Sequence, residues 1–203
     1  ALAAVGSAGP ILNMLLVLFI GISAGASIMV AQYFGARNRK SLSYTIGNSI
    51  TVTIISCIFL ILVATPLIRP VLKMLNTPAT IIDGCTDYLT ISLVGIAGMA
   101  FYNILSGVIR GMGDSFSPLV YLLVATVINI VLDIYFVAFL NMGVGGVALA
   151  TVIAQLISSI LCFIKLSKMT DFFDFNWKYL KPLGSYVKTI VKLGLPSGLT
   201  QAI

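Results

Sequence analysis

The chain of 203 residues contains no glutamate and no histidine, and its six acidic residues are all aspartates. Without imidazole there is no zinc centre of the usual nitrogen and sulfur ligands, and neither an H-E-x-x-H arrangement nor a Ser-His-carboxylate arrangement can form. Most hydrolase chemistry is thereby excluded. Charge is scarce as well: 9% of residues are charged and 59% hydrophobic, with a mean hydropathy of +1.10, where a soluble domain carries about 25% charged residues. So few charges cannot clothe a water-soluble fold of this size, and the bilayer must act as solvent. The period-2 alternation that a membrane barrel requires is also missing. Lipid offers no partner for backbone amides and carbonyls, so each segment must satisfy its own. The expected fold class is an all-α, polytopic membrane helix bundle. Three cysteines, Cys57, Cys85 and Cys162, have no metal-ligand spacing, and two lie within apolar runs, where a thiol acts as a small hydrophobe. No low-complexity tract and no internal repeat is visible.

A spanning helix needs about 20 mostly apolar residues. Five stretches qualify, roughly Ile11 to Gln32, Tyr44 to Ile68, Tyr88 to Ile109, Leu119 to Leu140 and Val144 to Ile164, and a sixth starts near Thr189. The net charge of +6 does not point to nucleic acid, because the cations are bunched between apolar segments instead of lining a groove-sized face. The loops after Gln32, Ile109 and Ile164 share one side and hold ten of the twelve cations, against Arg69 and Lys73 on the other. The positive-inside rule makes the first side cytoplasmic. The opening ALAAVGSAGP has neither an initiator Met nor a signal-peptide n-region, and the closing LGLPSGLTQAI stops inside an apolar run, so the chain reads as a piece of a longer protein. The longest connection, KMTDFFDFNWKYLKPLGSYVK, mixes Lys with Phe172, Phe173, Phe175, Trp177 and Tyr179, and is expected to anchor at the lipid headgroups. Gly21 with Gly25, and Gly107 with Gly111, stand in G-x-x-x-G spacing, which serves either close helix contact within one bundle or dimerisation.

One acidic residue has no easy explanation. Asp133 sits inside the run VINIVLDIYFVAFL, where a carboxylate costs about 2.5 to 3.5 kcal/mol on insertion scales, so it is expected to face the bundle interior and mark an ion or proton path. Thr126, Asn129 and Asp133 follow one another at three and four residues and share one helix face. In the next span Thr151 and Gln155 are again four apart. With Gly143 as the turn, Asp133 lies ten residues before it and Thr151 eight after, or about 15 and 12 Å at helical rise. The two are expected to meet, with Asn129 and Gln155 about one turn deeper. A carboxylate, an amide carbonyl and a hydroxyl suit a hard monovalent cation or a transferable proton, not zinc. A stripe that merely glues helices together would explain Asn129 and the threonines, but not the cost of the carboxylate.

With these residues in place, the chain resembles the multidrug and toxic compound extrusion (MATE) transporters. The resemblance runs through ALAAVG, AQYFGARN, DYLTI, RGMGDSFSP, NIVLD, GVGGVALAT and KLGLPSGLTQ, in order and over essentially the whole chain. It implies a fold of twelve helices in two six-helix lobes. Residues 1–167 would be the amino-terminal lobe without its first helix, 168–188 a cytoplasmic amphipathic linker, and 189–203 the start of the second lobe. It further implies antiport in the plasma (inner) membrane, exporting amphiphilic, often cationic compounds against inward Na⁺ or H⁺, with no other cofactor, by a full-length monomer. Asn129, Asp133 and Thr151 match the family's cation site, with Thr126 and Gln155 as supporting polar groups. The family's first helix adds another Asp that this chain does not contain, so the site is expected to be incomplete here. Pro118, Gly95 and Gly98 are candidate bending points.

Three other functions compete. Gly111 to Asp114 matches the G-x-G-D signature of intramembrane aspartyl proteases, whose chemistry needs two carboxylates sharing a proton. Here Asp114 falls in a charged loop several turns away from Asp133, and no Tyr-Asp partner motif occurs. A lipid-linked precursor flippase of the same superfamily would need a cationic cavity for its pyrophosphate, whereas these spans hold almost no cation. A channel would have no use for one titratable group buried in one half.

Overall fold

The computed structural model describes residues 2–74, 77–78 and 81–202. They form α1 (Leu2–Gly35), α2 (Arg39–Met74), α3 (Ile82–Gly111), α4 (Phe116–Ile134), α5 (Gly143–Ser167), a short α6 (Trp177–Leu180) and α7 (Gly184–Ala202). A π turn, Tyr135–Phe139, extends α4. No strand occurs among the described residues, and the all-α expectation holds. Among the described residues four helices are long and apolar enough to span a bilayer: α2, α3, α4 with its π turn, and α5. In α1 the stretch Phe19–Gly35 is a shorter apolar helix.

The helices overrun the expected spans. α1 has 34 residues and α2 has 36, lengths above about 50 Å at helical rise, against a hydrocarbon core of about 30 Å. Hydropathy marks only the part of a helix that meets lipid tails, while backbone hydrogen bonding continues into the headgroup layer. α7 likewise starts at Gly184, ahead of the apolar onset near Thr189.

Small residues set the packing, as expected where lipid tails compete equally for apolar side chains. A Cβ on Gly107 would lie 2.6 Å from Ser23 Oγ, and one on Gly111 would lie 2.7 Å from the Ser27 carbonyl, so α3 meets α1 backbone to backbone. Gly25 has no room for a Cβ against the Ile190 carbonyl, nor has Gly194 against the Gly21 carbonyl, which draws α7 onto α1 equally tightly. Both G-x-x-x-G pairs thus serve contacts inside this bundle. Gly95 and Gly98 seat Val152 and Leu156 of α5. Pro118 lies in the first turn of α4, where its missing amide breaks no helical bond, and its carbonyl accepts a 3.1 Å bond from the Tyr102 hydroxyl. Gly21 to Gly25 also happens to spell G-x-S-x-G. Its Ser23 is buried in mid-helix and donates to the Asn103 carbonyl at 2.5 Å, in a chain with no histidine to activate it.

Two apolar cores result. One joins Val30, Leu42, Ile46, Val108, Leu166 and Ile190, and the other joins Phe19, Leu72, Cys85, Leu89, Leu93 and Ile96. All three cysteines are buried and unpaired. α4 is the peripheral helix: only Pro118 and Ala125 are buried along it.

The basic connections meet at one end of the bundle. Asp114, between α3 and α4, pairs with Lys165 near the end of α5 at 3.0 Å. Its Oδ1 also accepts the Ser117 amide at 2.9 Å, capping α4. Arg39, at the start of α2, pairs with Asp174 beyond α5 at 2.9 Å. At the opposite end Arg69 pairs with Asp83. In the segment between α5 and α7, Phe172, Phe175 and Trp177 are exposed, as anchoring to headgroups requires. Phe173 and Tyr179, at 1% and 6% exposure, are instead core residues.

Candidate functional site

The connection between α4 and α5 determines the height of the site. Asn141 and Gly143 adopt left-handed backbone, φ 52° and 58°, and fold the chain back on itself at the expected turn. Just before it lies the π turn, whose i to i+5 bonding takes in an extra residue without a matching gain in rise. Leu140 to Met142 also lie outside both helices, so a count from Gly143 at uniform helical rise overstates how deep the α4 residues stand, by about 4.5 Å for those three residues and by only about 2 Å for the π turn.

This changes the pairing. Asn129 Nδ2 donates to Thr151 Oγ1 at 3.4 Å, linking α4 to α5, whereas the uniform count had set Asp133 level with Thr151 and Asn129 one turn deeper. Thr151 in turn donates to the Val147 carbonyl at 3.0 Å within its own helix. Thr126 is exposed and donates to the Leu122 carbonyl at 2.9 Å, so its hydroxyl belongs to its own helix. Asp133 and Gln155 are half-buried, and one oxygen of each, Oδ1 and Oε1, is shut off from solvent without a hydrogen-bond partner among the described residues. Unpaired acceptors of this kind are rare in native proteins because each forfeits its hydration. With Asn129 level with Thr151, Asp133 stands about one turn nearer the connection and Gln155 about one turn deeper, so the two spare acceptors flank that bond at different heights.

On the α3 side of Thr151 and Gln155 is a cavity of about 140 Å³, lined also by Val147, Ala148 and Val152 and, from α3, by Tyr88, Ser92, Gly95, Ile96 and Met99. At about 30 Å³ per water it has room for roughly four. Tyr88 and Ser92 escaped the sequence reading, which sought polar groups only near the carboxylate. The signal was available in the 4-3-4 spacing of Tyr88, Ser92, Gly95 and Met99, which sets them on one face of α3.

No group of three or more His, Cys, Asp or Glu side chains suited to a metal ion occurs among the described residues. The donor set is one carboxylate, two side-chain amides and a hydroxyl, which fits a singly charged hard cation or a proton and is too weak in charge for a divalent transition metal.

Among the described residues the architecture is a multi-span helical bundle with polar groups set between α4 and α5. Comparison gives the family. The MatE family model matches residues 1–135, and the chain belongs to that family. It is 30% identical over 210 residues to the probable multidrug resistance protein YoeA of Bacillus subtilis, covering 100% of this chain and 45% of that protein. It superposes on a solved inward-facing multidrug resistance MATE transporter of the MOP superfamily with a TM-score of 0.92 at 27% identity, covering 99% of this chain and 46% of the other. For an outward-facing structure of such a transporter the TM-score is 0.90 at 26% identity, covering 98% and 45%. The chain thus spans less than half the length of the relatives it matches.

Proposed function

We propose that the full-length protein is a secondary antiporter of the cell's plasma membrane, working as a monomer, that exports amphiphilic and cationic compounds in exchange for inward Na⁺ or H⁺. The observation that carries this reading is the pair of orphaned oxygens, Asp133 Oδ1 and Gln155 Oε1, on helices tied together by the Asn129 to Thr151 hydrogen bond. Asp133 holds the coupling cation or takes the proton. Asn129 and Thr151 contribute oxygen ligands, and Gln155 and Thr126 are supporting polar groups. An ion shifts a conformational equilibrium only as far as it binds the two states unequally. Filling the oxygens in one arrangement and emptying them in the other supplies that inequality.

The ten-to-two distribution of cations supports placing the loops after Gln32, Ile109 and Ile164 on the cytoplasmic side. Residues 2–167 act as most of one lobe, with α7 opening the next. The relatives' names as multidrug resistance proteins support drug-like cargo.

The test uses the full chain in a drug-sensitive host. Asp133→Asn should abolish ion-driven export of ethidium while expression stays unchanged. Undiminished export by that variant, or export that ignores imposed Na⁺ and H⁺ gradients, refutes the assignment.

A further inference from the structure

The segment between α5 and α7 lies along α2 as if laced to it. Arg39 at the first turn of α2 donates Nη1 to the Asp171 carbonyl at 2.7 Å and Nη2 to the Thr170 carbonyl at 2.8 Å, besides pairing with the Asp174 carboxylate. One turn on, Ser43 Oγ accepts the Asp174 amide at 2.9 Å. Further along, Asn48 Nδ2 donates to the Tyr179 carbonyl at 3.3 Å and Asn48 Oδ1 accepts the Leu183 amide at 2.7 Å. Thr51 donates to the Leu180 carbonyl at 2.7 Å. Gly47 leaves the Tyr179 carbonyl no room for a Cβ. Residues 39, 43, 47, 48 and 51 of α2 share one face, and they track the segment over about 18 Å at helical rise. Phe173 closes the first core, and the Tyr179 ring meets Tyr44 edge-on at 4.7 Å.

Direction matters as much as contact. The lacing runs from the basic end of α2 inward, so the irregular backbone around Leu180 to Leu183 sits alongside the apolar part of the bundle. Backbone without helical partners is tolerated at such depth only where protein satisfies it. Asn48, fully buried, and Thr51 do so. Lifting the segment away would strand the Tyr179 and Leu180 carbonyls, the Leu183 amide and the Asn48 side chain together.

We propose that residues 170–183 form a strap that stays seated on α2 throughout the transport cycle, so that the joint between the two halves lies C-terminal to Leu183, where α7 begins. The connection is then part of the first half and not a slack tether. This inference rests on the antiport reading above for the cycle in which the strap stays put.

The experiment uses the full chain with its native cysteines replaced by serine and a Ser43→Cys/Asp174→Cys pair introduced. With the disulfide formed, ethidium export in proteoliposomes should stay within twofold of the same protein reduced. A loss of more than tenfold on oxidation, restored by dithiothreitol, means the strap must lift and overturns the proposal. If the reduced protein exports nothing although the parent sequence does, the pair is disruptive and amide exchange decides; if the parent exports nothing either, the antiport reading fails and exchange again decides the strap. In the unsubstituted full chain the amides of Asp174 and Leu183 should exchange at least a hundredfold more slowly than in an unstructured peptide, with and without Na⁺ and at pH 6 and 8. Unprotected exchange in any of these conditions sinks the strap.

Discussion

The strap region, deep in the bundle, and the α4–α5 face, on its periphery with Thr151 exposed, both set polar groups among apolar ones, and they treat them in opposite ways. At the strap Asn48 is fully buried, and both ends of its amide are bonded, Nδ2 to the Tyr44 and Tyr179 carbonyls and Oδ1 to the Leu183 amide. On the α4–α5 face Asp133 Oδ1 and Gln155 Oε1 are equally cut off from water and bonded to nothing among the described residues. A satisfied buried network rigidifies a fold, while an unsatisfied one costs stability and persists where something other than stability selects it. The contrast separates a polar cluster whose bonds are all made from one whose acceptors are left open.

Four changes would sharpen or break that contrast. The largest expected effect is on Asn48. Asn48→Ala strands the Tyr179 carbonyl and the Leu183 amide, each worth about 1–3 kcal/mol, and should lower the thermal unfolding midpoint in detergent by several degrees. Apparent cation affinity should not move. Gly47→Ala comes next: its methyl collides with backbone, not with a flexible side chain, and the expected cost is about 1–3 kcal/mol, measured in the same way. On the other face the signature reverses. Thr151→Val should leave the unfolding midpoint within about 1 kcal/mol equivalent but raise the Na⁺ concentration needed for half-maximal export severalfold if Na⁺ is the coupling ion. Equal losses under Na⁺ and H⁺ gradients would point to the proton.

The smallest effect is at the basic end. The Ser117 backbone amide, chiefly, with the Ser117 hydroxyl and Lys165 helping against some desolvation, holds the Asp114 carboxyl down at about 2, below its usual 3.8. A carboxylate depressed in the folded state stabilises fully above its ordinary range, and that contribution is lost as pH falls through the depressed value. The unfolding midpoint should therefore decline between pH about 4 and about 2. Asp114→Ala should flatten that decline and cost about 1 kcal/mol at neutral pH, the worth of a helix cap. An unchanged pH profile would remove Asp114 from the account.

The helices were legible because bilayer thickness and hydropathy act residue by residue, and the gathering of the basic loops at one end was legible because charge bias can be read from composition alone. The carboxylate at Asp133 stood out for the same reason, being costly wherever its helix turns. What the sequence concealed depends on relations between distant segments. No rule of spacing announces where α4 ends or that it closes on a π turn, and counting Leu140 to Met142 at helical rise matched Asp133 with Thr151 where the structure bonds Asn129 to it. Nothing local marks Asn48, because its partners other than the Tyr44 carbonyl lie more than 130 positions away. Phe173 and Tyr179 shared a composition with neighbours that do face outward, and only packing against α2 tells them apart.

Where α1 and α7 touch, Gly21 and Gly25 face Gly194 and the Ile190 carbonyl, with no side chain projecting across the contact at those points. Surfaces so flat have nothing to unthread. Their cohesion is dispersion between backbones, which fades by a quarter to a half over a gap of roughly 0.5–1 Å. The flat contact therefore grips only while flush, and what keeps α7 in register is the Ile190 side chain sunk into the first core between those glycines.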